Sequence, residues 1–164
     1  MNHYTDTQQY SFVLLALFLI IFLFKVWRFF TASPSKRFLK RYRSIKKLKK
    51  LSWDGFETLC LHFFREQGWK VTGNTLKGAD GGVDLWMKKR GVESIVQCKK
   101  YEDARVTIKV IREMYGLMHE YGVDRAYIVT TSEFTKECYK FVEDKEMELI
   151  NGTLLLQKIK QIVG

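Results

Sequence analysis

The chain has 164 residues and a formal charge of +10, room for one ordinary domain and an appendage. The charge is uneven: residues 1–50 hold 11 Lys/Arg and one acid, Asp6, which leaves 17 basic and 17 acidic residues for 51–164. That neutrality excludes a C-terminal domain that binds nucleic acid through bulk positive charge, so any such binding must come from local arrangement and bound metal.

Residues 1–9 carry no Lys or Arg and are expected to lie outside the cytoplasm. Ser11 to Phe24 is apolar without interruption. Extended from Tyr10 to Phe30, the stretch spans about 31 Å as a helix, enough for a hydrocarbon core of about 30 Å. Lys25 and Arg28 near its end can snorkel, and Trp27, Phe29 and Phe30 fit an interfacial belt. We therefore expect one transmembrane helix over 10–30. The lack of an early basic residue and the poor cleavage context at Thr31-Ala32-Ser33 argue against a cleaved signal peptide. With all the basic residues of 1–50 on the C-terminal side of the apolar core, the positive-inside rule predicts a single-pass protein with the N-terminus outside and residues 51–164 in the cytoplasm. After Pro34, within the basic juxtamembrane segment 31–50, Lys36–Lys50 reads as a basic amphipathic helix with Phe38, Tyr42, Ile45 and Leu48 at helical spacing. Its position favours a collar on anionic lipid, with membrane lipid held through residues 10–50. Non-specific binding of nucleic-acid phosphate is the alternative.

Residues 51–164 predict an α/β domain. Ser52 is a good N-cap, and Phe56, Leu59, Cys60, Phe63 and Phe64 form the stripe of a buried helix face ending at Gly68. Trp69–Thr72 reads as a short strand, and 73–82 as a Gly-rich loop. Val83–Lys89 and Glu93–Lys100 read as a hairpin turning at Arg90-Gly91. A helix follows Thr107, then a buried strand Arg125–Thr131, a helix led by Ser132 through about Lys145, a strand Met147–Ile150 and a helix Thr153–Val163. The order αβββαβαβα predicts a mixed sheet with helices on both faces.

The chemistry-bearing residues are Asp84 behind two glycines, and Gln97 and Lys99, two apart on the partner strand and so expected on one face. A carboxylate, an amide oxygen and the backbone carbonyl of Cys98 suit a hard ion such as Mg²⁺. A nearby lysine can stabilise charge on a scissile phosphate. Glu57, at the border of the first apolar stripe, is positioned to add another oxygen ligand. Each residue taken alone is an ordinary turn or strand-face residue; the combination carries the signal. Cys60, Cys98 and Cys138 lack metal-site or disulfide spacing and read as reduced thiols in a cytosolic compartment. His62 and His119 have no ligand partners at suitable spacing. Ser132 reads as an N-cap, because no base accompanies it.

Phe56-Glu57, Asp80-Gly81-Gly82-Val83-Asp84, Val96-Gln97-Cys98-Lys99, and Val129-Thr130-Thr131-Ser132 with Phe134-Thr135 stand in one order. Together they make Ser52 to Lys160 resemble the Mrr-type (type IV restriction) endonucleases of the PD-(D/E)xK nuclease superfamily. The resemblance implies a restriction-endonuclease-like αβββαβ core and Mg²⁺-dependent hydrolysis of DNA phosphodiesters, with Mn²⁺ as a substitute. It implies metal-binding acids at Glu57 and Asp84, Gln97 at the third position and Lys99 as the catalytic lysine. Asp80, Lys100, Tyr101 and Arg105 are weaker candidates for DNA contact. Double-strand cutting points to a homodimer. Restriction of foreign DNA is the expected role. A catalytically idle nuclease-like scaffold at the membrane, or a nuclease for RNA or branched DNA, are the alternative readings.

Overall fold

The computed structural model describes residues 10, 14–23, 33–73 and 82–164. The chain divides into two compact units, Met1–Pro34 and Ser35–Gly164. In the first, Tyr10 and residues 14–23 are helical and exposed. Among the described residues no helix is long and apolar enough to cross a membrane. Residues 1–9 and the rest of the span expected over 10–30 lie outside the described residues.

The second unit opens with two short helices, α1 (Pro34–Leu39) and α2 (Ile45–Lys49). The single amphipathic helix expected here is thus broken by a turn, in which the N–H of Tyr42 bonds to the carbonyl of Leu39 at 2.9 Å. The break lets Leu39 and Leu48 both reach complete burial in the main core, with Phe38, Tyr42 and Leu51 packed beside them.

Helix α3 (Trp53–Glu66) starts at Ser52, whose hydroxyl accepts the N–H of Gly55 at 3.1 Å. It ends where Gly68 takes the left-handed conformation, φ +84°, with Gly68 and Trp69 N–H returning to the carbonyls of Arg65 and Phe64, a Schellman closure. Strands β1 (Lys70–Gly73), β2 (Leu85–Lys89) and β3 (Val92–Lys99) follow. Arg90 and Gly91 both adopt positive φ, which suits a tight hairpin between twisted strands. Then come α4 (Ile108–Glu120), β4 (Arg125–Thr130), α5 (Lys136–Val142), β5 (Met147–Ile150) and α6 (Gly152–Val163). The sheet runs in sequence order, antiparallel from β1 to β3 and parallel from β3 to β5.

Alternation along the strands feeds two cores. Leu85, Val96, Cys98, Tyr127 and Val129 pack with α3 and α6, and α1 and α2 add Leu39 and Leu48 to that side. Ile95, Ala126, Ile128 and Leu149 pack with the buried faces of α4 and α5. The expected mixed sheet flanked by helices is therefore the observed architecture.

Most boundaries shift by one to three residues, and the largest difference is at the start of α5. The helix expected from Ser132 begins at Lys136, with Thr135 in the N-cap position. Ser132 instead donates its hydroxyl to the carbonyl of Ala104 at 2.6 Å, and Phe134 is buried by a parallel bridge to Val106. Burying that phenyl ring outweighs the local N-cap preference of the serine.

Candidate active site

The antiparallel pairing of β2 and β3 continues past Leu85–Val96 to the acid. Asp84 N–H donates to the carbonyl of Val96 at 2.8 Å, and the Cys98 N–H donates to Oδ2 of Asp84 at 2.5 Å. The carboxylate is thereby fixed one residue before Lys99. Burial raises its pKa above the ordinary value; the Cys98 N–H and the Lys99 ammonium pull in the other direction.

Lys99 sends its Nζ over the ring of Trp53, 5.9 Å from the centroid. Trp53 Nε1 donates to Oε1 of Glu57, one helical turn later on α3. The lysine is thus held toward the helix that carries the second acid, and the indole joins the two. The buried Cys98 thiol is close enough to both acids to feel their charge. Its pKa is pushed well up by the neighbouring Cys60 thiol, by burial, and by the carboxylates of Asp84 and Glu57. It is therefore a protonated core thiol rather than a nucleophile. Glu57, Asp84, Cys98 and Lys99, expected together, are brought to one place at the end of β3.

Gln97, two residues before Lys99 on β3, is buried. Its side chain is buried against Gly82, whose φ is +118°, and a Cβ on Gly82 would overlap the amide nitrogen. Its Oε1 is sealed from solvent with no partner among the described residues. Two features of this loop thus require glycine: the positive φ and the closeness of the amide. Asp80 lies outside the described residues.

The weaker candidates separate as well. Lys100 pairs with Glu102 at 3.0 Å. Tyr101 packs on the second core and accepts the Thr131 hydroxyl through its carbonyl at 2.7 Å. Arg105 is exposed beside a cleft of about 270 Å³ that Lys49, Thr131 and Gly152 also line. His62 bonds through Nδ1 to the Ser35 hydroxyl at 2.8 Å, and His119 packs edge-on against Tyr115.

Among the described residues no three His, Cys, Asp or Glu side chains are grouped so that they alone could hold a metal ion. The oxygen donors on offer are two carboxylates, those of Asp84 and Glu57, with the orphaned Gln97 oxygen nearby in sequence and structure. That set fits a hard divalent cation that retains several waters, and does not fit zinc. Trp53 is the site residue that sequence reasoning missed. Its spacing to Glu57, i to i+4 on one helix face, was the available signal.

Comparison with known proteins places this geometry. Residues 48–159 match the Mrr_cat family, described as restriction endonuclease. No curated protein matches. Among solved structures, the DNA modification-dependent restriction endonuclease AspBHI is similar at TM-score 0.60 and 17% identity, over 79% of this chain and 36% of that one. The MspJI restriction endonuclease, solved with a 27-mer oligonucleotide, is similar at TM-score 0.54 and 23% identity, over 73% of this chain and 31% of that one. AF1548, a protein of unknown function, is similar at TM-score 0.54 and 16% identity, over 64% of this chain and 65% of that one. The chain thus spans about a third of the length of the two restriction enzymes, and these likenesses concern the fold.

Proposed function

The chain belongs to the Mrr_cat restriction endonuclease family, and from that premise we propose that it is a metal-dependent DNA endonuclease acting in restriction of foreign DNA. The observation that carries the reading is the convergence of Asp84, Lys99 and Glu57 around Cys98 at the end of β3. Structural scaffolds have no need to hold a half-buried acid, whose burial is unfavourable for its charge, beside a lysine.

Asp84 and Glu57 would hold Mg²⁺, or Mn²⁺ in its place, with Gln97 Oε1 and the Cys98 carbonyl as further oxygen donors. When bound, such a cation supplies charge stabilisation at the scissile phosphate and activates the attacking water. The Cys98 N–H fixes the rotamer of Asp84, so that its second oxygen has a defined direction. Lys99 supplies a positive charge where negative charge grows during hydrolysis. Trp53 limits the wandering of Lys99 and orients Glu57. A homodimer would bring two such centres to the two strands.

The apolar residues 14–23, helical and exposed on every side, support a membrane anchor over 10–30 with the nuclease domain on the cytoplasmic side. A reporter fused to the C-terminus tests that orientation, and activity of a periplasmic or luminal reporter would reverse it. The nuclease reading is tested by incubating the full-length protein with supercoiled plasmid in Mg²⁺ or in EDTA. Nicked or linear product in Mg²⁺ alone is expected. Intact plasmid in both, with RNA and branched duplexes also uncut, would refute it.

A further inference from the structure

The most basic segment of the chain does not stand apart from the nuclease unit. Lys36, Arg37, Lys40, Arg41, Arg43, Lys46, Lys47, Lys49 and Lys50 lie within residues 35–50, which contain no acid. Those residues belong to the same compact unit as the catalytic sheet. Including them, residues 35–164 carry 26 basic and 17 acidic residues, a net charge of +9. The neutrality of 51–164 is therefore not the electrostatics of the folded unit.

Three contacts fix α2 in place. Leu48 is fully buried in the main core. Ile45 packs onto Gly152 at the start of α6, where an added Cβ would come within 2.9 Å of Ile45 Cδ1 and 2.5 Å of the Thr131 carbonyl. Lys49 donates to the carbonyl of Glu102 at 2.7 Å, in the loop that leaves β3 just after Lys99. Between α2 and that loop lies a cleft of about 580 Å³, lined by Lys46, Lys49, Lys50 and Lys100 and by Glu102 and Asp103. Lys49 and Lys100 are drawn into ion pairs with Asp103 and Glu102. Lys46, Lys47 and Lys50 are exposed and have no acidic partner among the described residues.

A helix that lies in a bilayer interface must bury its apolar side in lipid. Here Leu48 is committed to the protein core, Ile45, 39% exposed, is seated on Gly152, and Lys46, Lys47 and Lys50 dominate the outward side. We infer that α2, with Lys46, Lys47 and Lys50, is a second contact surface for the DNA phosphate backbone, continuous with the catalytic end of β3. This rests on the nuclease reading above and adds to it the surface that supplies affinity. A rigid row of lysines beside a neutral catalytic domain gives sequence-independent, salt-sensitive binding.

The test is duplex binding by the full-length protein in EDTA, across a range of salt concentrations, for wild type and the Lys46→Gln/Lys47→Gln/Lys50→Gln variant. Lys136→Gln/Lys140→Gln on α5 serves as the control. Each phosphate contact contributes about 0.9 to the slope of log affinity against log salt. The triple variant should flatten that slope by about 2 to 3 and weaken binding at least roughly tenfold at moderate salt, while melting as wild type does and leaving the control unchanged. An unchanged slope in the variant, with wild type still cutting DNA, overturns this inference alone. Loss of binding to phosphatidylserine vesicles with DNA affinity intact also overturns it, in favour of a lipid surface. A wild type that neither binds nor cuts DNA overturns the inference and the nuclease reading together.

Discussion

Oδ2 of Asp84 accepts the main-chain N–H of Cys98 at 2.5 Å, so the acid just before β2 is registered by a backbone bond against the residue beside Lys99. The bond is independent of side-chain identity at 98. It sets the carboxylate in a half-buried position, where desolvation wins over the two favourable partners and the pKa rises above 3.8.

A carboxyl with a folded pKa above its unfolded value costs stability once ionised. That stability is lost as pH rises from the ordinary carboxylate range through the raised pKa, and the cost is full at neutral pH. Asp84→Asn should therefore melt at or above the wild-type temperature at pH 7, with the gap closing toward about pH 4, and should cut no DNA. A variant that melts well below wild type at pH 7 would contradict this account of Asp84.

Trp53 bridges Lys99 and Glu57 through two different parts of one ring system. Trp53→Phe keeps an aromatic face for the ammonium and removes the N–H donor. It should raise the Mg²⁺ concentration needed for half-maximal cleavage by roughly 10- to 100-fold, the usual cost of losing a group that orients a ligand. Trp53→Ala should lower the maximal rate as well. Mg²⁺ titrations of cleavage separate the two effects; identical titrations for wild type and both variants would remove Trp53 from the site.

Much of this arrangement is legible in the sequence, because strong periodic signals lie where packing agrees with them. The stripe from Phe56 to Phe64, the hairpin turn at Arg90-Gly91 and the strand Met147–Ile150 all form as their patterns predict. The convergence of Asp84, Cys98 and Lys99 follows from the hairpin register. What was not legible depended on long-range burial. Leu39 and Leu48 sit among nine basic residues, and their pattern alone does not distinguish a lipid from a protein core as the cover. Phe134 is drawn into the bridge with Val106, which moved a helix start from Ser132 to Lys136. The closeness of the Gln97 amide to Gly82 is likewise a product of the folded packing.

The packing of Leu48 has a thermodynamic consequence. If residues 35–50 were a detached collar, Leu48→Ala would leave the nuclease unit unaffected. As a fully buried core residue, its truncation should instead cost about 2–5 kcal/mol, read as a lowered denaturation midpoint in the full-length protein. Lys47→Gln, exposed on the same helix, should change the midpoint by less than about 0.5 kcal/mol. Equal midpoints for Leu48→Ala and wild type would detach the segment from the fold.

The most direct measurement is the single-turnover rate of duplex cleavage in Mg²⁺ by wild type and Lys99→Ala, with binding to the same duplex followed in parallel. Loss of one group that stabilises transition-state charge is expected to slow cutting by roughly 10²- to 10³-fold, with the melting temperature held and duplex affinity changed far less than the rate. Cleavage by Lys99→Ala at the wild-type rate would contradict the assignment of this centre.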